Sequence, residues 1–261
     1  MKKLIVSGDS CTDLDFESVC HPTWDFSWPK WPEHLAKYLG MELVCLGQGG
    51  KGNEFIYSTL QDEILNTPHE EIGLVIAAWS QSHREDYQEG WFGRWRANRV
   101  HKSMDLLNCV KKSMRQFMSF QILCERFNLP YCHFMMGSIY ESMFKGLEPT
   151  EIDKLINPKL TKADKIPYKA IRSRELDETE IKRCIAKYKY KIKNFLTDNI
   201  PKDKLNFTEF NMLDVMHEYY KNGYITDRIV SVSPLDKHPN EKGHKFISDD
   251  IIQRLSTYKI I

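Results

Sequence analysis

Four short apolar runs constrain this chain more than any other feature. They lie at residues 3–7, 42–46, 73–79 and 130–136, each too brief for a helix; the first two run into glycine turns, the third into a polar loop, and the fourth follows Asn128-Leu129. Runs of that length, apolar without alternation, are the pattern of strands buried on both faces, which occur in parallel sheets. Between them the spacing changes to that of helices. Leu35, Tyr38 and Leu39 follow Pro32 and end at Gly40; Phe55, Ile56, Leu60 and Ile64 share one face. A long helix is predicted over 103–127, and Phe246, Ile247, Ile251, Ile252 and Leu255 mark an amphipathic helix near the C-terminus. Strand alternating with helix predicts an α/β fold, a parallel sheet covered by helices.

A chain of 261 residues suffices for one such domain and not clearly for two. With 41% hydrophobic and 28% charged residues, and a net charge of +1, nothing in the balance points to nucleic acid or an anionic membrane as partner. The N-terminal apolar run breaks at Gly8-Asp9, too soon for a secretory signal. No run approaches the roughly 18–20 apolar residues of a membrane helix. A soluble, cytoplasmic protein is therefore expected, with virion association as an alternative. Seven cysteines at irregular spacing, without a C-x-x-C pair, are expected to be thiols in a reducing compartment.

Residues 140–200 differ from the rest. They are lysine-rich, carry Pro149, Pro158 and Pro167, and read as a helical insertion within a single domain, its second helix at about 177–196. The alternation Lys187-Tyr188-Lys189-Tyr190-Lys191 suits a solvated helix face with tyrosines laid on the domain better than a nucleic-acid surface.

Three segments carry candidate chemistry. Gly8-Asp9-Ser10 directly follows the first strand, and ligands of open parallel sheets bind at the carboxyl ends of strands. Gly50 lies in the turn 47–53 after the second strand, where a glycine lets its N–H approach a substrate oxyanion. That turn matches neither a dinucleotide nor a P-loop fingerprint. Before the last helix stands Asp236-Lys237-His238-Pro239-Asn240. A serine hydroxyl needs a base to become a nucleophile, histidine is the usual base near neutral pH, and a neighbouring carboxylate fixes its tautomer.

Together the three segments resemble the SGNH (GDSL-type) hydrolase superfamily, which has a G-D-S block, a block glycine, a block asparagine and a C-terminal D-x-x-H block continued as H-P-N. The resemblance implies a flavodoxin-like three-layer α/β/α fold and ester hydrolysis through an acyl-enzyme. It makes Ser10 the nucleophile and His238 the base, with the N–H groups of Ser10 and Gly50 as oxyanion donors. It requires no metal or organic cofactor, and the expected partner is a small acyl ester, including acetyl groups on a carbohydrate. Two positions depart from the family. Ser80 stands where the block asparagine belongs, and its hydroxyl is expected to serve as an oxyanion donor. The segment Trp79-Ser80 with Arg84-Glu85 is similar to a variant block of phage-type members. The family's aspartate position is Leu235; Asp236, one residue on, is the candidate third member, the alternative being a Ser10–His238 dyad oriented by a carbonyl. Weak catalysis on the same fold would make the chain a carbohydrate-binding or structural module instead. A flavodoxin-like phosphate binder using the turn 47–53 would leave the segment 236–243 without a role.

His244 reads as structural, and His21, His83, His101 and His133 form no metal-binding motif. Trp24, Trp28, Trp31, Trp91 and Trp95 suit either a sugar-stacking cleft or the core.

Overall fold

The computed structural model of the chain describes residues 1–89, 94–98, 106–137, 178–189, 191–196, 211–221, 230–233 and 236–261. Four strands, β1 (Lys3–Ser7), β2 (Glu42–Cys45), β3 (Ile72–Trp79) and β6 (Tyr131–Met135), pair in parallel in the order β2-β1-β3-β6. Phe195 adds an isolated parallel bridge to His133 beyond β6. The order reverses between β1 and β3: the chain leaves β1 for β2 on one side and returns to β3 on the other. Such a reversal opens a crevice at the carboxyl ends of the two strands.

Period-two alternation divides the strand side chains between two faces. Ile5, Val75, Ala77, Trp79, Tyr131 and Met135 pack with α2 (Asn53–Asn66), α3 (Leu106–Arg126) and α4 (Glu178–Lys189). Leu4, Val6, Leu74, Ile76, Ala78, Cys132 and Phe134 pack with α1 (Trp31–Leu39), α5 (Met212–Lys221) and α6 (Glu241–Thr257). The result is the flavodoxin-like α/β/α arrangement, with every residue of central β3 buried. Helix α1 has Pro32 in its first turn and ends on Gly40 at φ 63°, the left-handed geometry that glycine adopts without strain. No helix among the described residues is long and apolar enough to cross a membrane, and no disulfide joins any of the seven cysteines.

The expected strands and helices lie within a few residues of their predicted bounds, except the insertion helix predicted to about 196, which ends at Lys189, with Phe195 bridging to His133 instead. Helix α5 lies in a stretch for which no element was predicted, and a hairpin was not predicted either. The polar segment after β3 turns into an antiparallel hairpin, β4 (Glu85–Glu89) with β5 (Arg94–Asn98). Its residues, Glu-Asp-Tyr-Gln-Glu and Arg-Trp-Arg-Ala-Asn, contain no apolar run, so hydropathy gave no strand signal. Most of the expected insertion at 140–200, and Trp91, lie outside the described residues. Within it, α4 buries Ile181, Cys184 and Ile185 and rests Tyr188 against the core, while Lys187 faces solvent.

Candidate active site

Ser10 lies in the turn that ends β1, closed by hydrogen bonds from the N–H groups of Thr12 and Asp13 to the Asp9 carbonyl at 2.8 and 3.1 Å. The β1–β2 ladder continues past the strands, since Leu46 N–H donates to Val6 O and Gln48 N–H to Gly8 O. This zips the turn after β2 against the turn after β1. The approach demands glycine: a Cβ at Gly47 would lie 2.8 Å from the Thr12 backbone carbon, and one at Gly8 would strike the Thr12 side chain. Gly49 consequently faces Ser10, a Cβ there falling 4.0 Å from Ser10 Cβ, and its N–H donates to Asp13 Oδ2 at 2.7 Å. Gly50 follows at φ 75°. The N–H groups of Ser10 and Gly50 make no hydrogen bond among the described residues.

From the opposite end of the chain, the segment ahead of α6 brings His238 to the same turn. His238 Nε2 lies 2.7 Å from Ser10 Oγ, and His238 Nδ1 lies 2.5 Å from Asp236 Oδ1. A one-residue shift toward the histidine does not take Asp236 out of reach, because the segment folds back on itself. Val232 N–H donates to His238 O, the Ser233 and Asp236 backbones bond reciprocally, and His238 N–H donates to Asp236 Oδ1 at 3.0 Å. Asn240 caps α6 by accepting from Gly243 N–H at 3.0 Å, and its own side chain donates to Ser231 O.

Three groups that sequence reasoning missed support this side. Ser18, buried in the loop after β1, donates its hydroxyl to Asp236 Oδ2. Ser233 Oγ accepts from Asp236 N–H at 3.1 Å and meets His21 Nε2 at 2.7 Å. The Phe16 ring covers the His238 ring, centroids 4.5 Å apart. Burial pushes the Asp236 carboxyl up, but hydrogen bonds from His238 and Ser18 outweigh it and hold it down at about 2. Asp236 is thus a carboxylate at neutral pH, held against His238 Nδ1.

Ser80 departs from its expected placement. It is wholly buried; its N–H donates to Asn53 Oδ1 at 2.8 Å and its hydroxyl to Asp9 Oδ2 at 2.7 Å. A hydroxyl has one proton, and this one is committed to Asp9 rather than aimed into the crevice. Asn53 in turn donates to Ser113 Oγ at 3.0 Å. Asp9 also accepts from Cys11 N–H at 3.1 Å and from Arg84 Nη1 at 3.1 Å.

The histidines and tryptophans separate by environment. His133 and His244 are buried, and burial holds each down at about 3, so both are neutral and structural. Trp31 belongs to the core, Trp28 packs with Phe16, Phe26 and Val232, and Trp95 rests on Phe55. Trp24 is 51% exposed and stacks on His21 with centroids 4.0 Å apart. No group of three His, Cys, Asp or Glu among the described residues could hold a metal ion.

No family model matches the chain and no curated protein does. Solved structures similar to it are lipolytic proteins of the G-D-S-L family and esterases. A lipolytic G-D-S-L protein from Desulfitobacterium hafniense is 13% identical, over 98% of this chain and 100% of that one, with a TM-score of 0.49. An esterase from Pseudoalteromonas sp. is 9% identical over 99% and 98%, with a TM-score of 0.47. An acetyl xylan esterase is 16% identical over 96% and 98%, with a TM-score of 0.46. At these identities the fold is read from the strand order and the chemistry from the geometry around Ser10.

Proposed function

We propose that the chain is a serine ester hydrolase acting through an acyl-enzyme on Ser10. The observation that carries this reading is the unbroken hydrogen-bonded chain from Ser10 Oγ through His238 to Asp236, at 2.7 and 2.5 Å. His238 Nε2 takes the hydroxyl proton as Ser10 Oγ attacks an ester carbonyl, and Asp236 stabilises the imidazolium that forms. The tetrahedral oxyanion is held by the N–H groups of Ser10 and Gly50, which no other described group occupies. Collapse expels the alcohol, protonated by His238. Water, deprotonated by the same imidazole, then releases the acid and restores Ser10. Ser80 enters as a buttress of Asp9 rather than as a donor, so the hole relies on backbone groups. A small acyl group, such as acetyl on a carbohydrate, is the substrate class this reading favours; an acetyl xylan esterase among similar structures and the exposed Trp24–His21 stack are in keeping with it.

The test is p-nitrophenyl acetate hydrolysis by wild type, Ser10→Ala and His238→Ala. Turnover by wild type with both variants at background supports the reading. A wild type no faster than Ser10→Ala, on this ester and on acetylated sugars alike, overturns it.

A further inference from the structure

The two oxyanion donors of the proposed reaction lie on separate turns, one after β1 and one after β2. Backbone donors stabilise a developing charge only if their mutual geometry is fixed before the reaction. Asp9 immediately precedes Ser10, and Lys51 immediately follows Gly50. One nitrogen joins them: Arg84 Nη1 donates to Asp9 Oδ2 at 3.1 Å and to Lys51 O at 2.9 Å. Both side chains of the ion pair are largely removed from solvent, 17% exposed for Arg84 and 7% for Asp9. The pair is therefore little screened, and its geometry is not that of a loose surface contact.

The segment bearing Arg84 is itself pressed onto the second turn. A Cβ at Gly52 would lie 2.6 Å from Arg84 Cβ and 2.7 Å from Arg84 O. Two residues on, Asp86 accepts from Gly52 N–H at 3.0 and 2.8 Å and from Phe55 N–H at 3.1 Å, capping α2 and closing the far end of the turn. Arg84 thus approaches through both its backbone and its guanidinium, with Gly50 held between the crosspiece at Lys51 and the bond from Gly49 to Asp13.

We propose that Arg84 is a positioning residue that locks the two halves of the oxyanion hole together, doing by an ion pair behind the hole what Ser80 does not do within it. The proposal rests on the hydrolase reading above. Arg84 touches neither the substrate nor the reacting atoms; it acts through Asp9 and Lys51. Its loss should weaken binding of the transition state and leave binding of the ground state as it was, a fall in kcat with little change in KM.

The experiment compares wild type, Ser10→Ala, Arg84→Ala and Arg84→Met on p-nitrophenyl acetate, with thermal melts to establish that each is folded at the assay temperature. Arg84→Met keeps an aliphatic stem in the packed site and removes the donors. Both Arg84 variants are expected to lose about 10- to 100-fold in kcat, less than deleting a donor outright costs. KM should stay within about twofold. Guanidinium ion at millimolar concentration should restore part of the loss in Arg84→Ala, which leaves a vacated site, and none in Arg84→Met, which fills it. A folded Arg84→Met with wild-type kcat overturns the proposal, as does a loss confined to KM or a failure of both variants to fold, either of which assigns Arg84 to substrate binding or stability alone. Equal rates for wild type and Ser10→Ala would instead remove the hydrolase reading itself.

Discussion

The two sides of Ser10 are built in opposite ways. On the His238 side, side chains close in sequence fold back on one another: Asp236 bonds to His238, Asn240 caps the helix that follows, and the outside supports are Ser18 and Phe16 from the loop after β1. On the Gly50 side the proposed donors are backbone N–H groups, and the bonds that fix their turns join segments far apart in the chain. Asp13, Arg84, Asp86, Ser80 and Asn53 reach across tens of residues to hold two turns at the ends of β1 and β2. A proton relay needs particular side-chain chemistry at particular positions, so it leaves a local motif. An oxyanion hole needs only backbone in the right place, so what maintains it is spread through the fold.

The sharpest break in the comparison is Asp236→Asn. If the carboxylate orients His238, kcat/KM on p-nitrophenyl acetate should fall by about 10³–10⁴, as loss of the orienting carboxylate does in serine hydrolases generally. A fall below tenfold would mean that Ser10 and His238 work as a dyad. On the other side, Gly50→Ala places a side chain at φ 75°, which costs about 1–2 kcal/mol. The turn should relax and displace the donor, lowering kcat by about tenfold with KM nearly unchanged. Steady-state kinetics on the two variants ranks the two sides directly.

Smaller effects separate supports from working groups. Ser18→Ala leaves Asp236 Oδ2 without that donor, and a fall in kcat of about three- to tenfold is expected, a modest share of the worth of a hydrogen bond to a charged group. Asp86→Ala removes the cap of α2 and should lower stability by about 1 kcal/mol, read as a drop in denaturation midpoint. Equal losses of activity from these two would erase the distinction between the sides.

The last effect is absent at neutral pH and appears only in acid. His244, on α6 beneath the His238 segment, is held down at about 3 by burial, whereas in the unfolded chain it titrates near 6.5. Between those values the unfolded state binds the extra proton. Its contribution to stability is therefore fully present above 6.5 and is lost as pH falls toward 3, at up to about 1.4 kcal/mol per pH unit. His133 behaves alike on the sheet. Denaturant melts across that range should show a slope that His244→Gln reduces; an unchanged slope would place the titrating group elsewhere.

Much of the architecture was legible in advance. The runs 3–7, 73–79 and 130–136 could be strands because burial on both faces demands apolar side chains without alternation, and Pro32 and Gly40 punctuate a helix by their backbone restrictions alone. The hairpin of β4 and β5 was not legible, since its charged sequence carries no periodic signal. Among the candidate residues, Ser10, Gly50, Asp236 and His238 could be picked out because each lies in a short segment whose neighbours restrict it. Ser80 could be picked out as well, but not the direction of its hydroxyl, which depends on Asp9 seventy-one residues away.

The sequence by itself determined the alternation of buried strands and amphipathic helices and the residue types available at the strand ends, because hydrophobic periodicity and backbone preference act over a few residues. Only the tertiary structure decided that the strand order reverses beside Ser10, that His238 and Ser18 share the Asp236 carboxylate, and that one guanidinium spans the two turns. Those are contacts between segments far apart in the chain, set by how the layers pack rather than by any local preference.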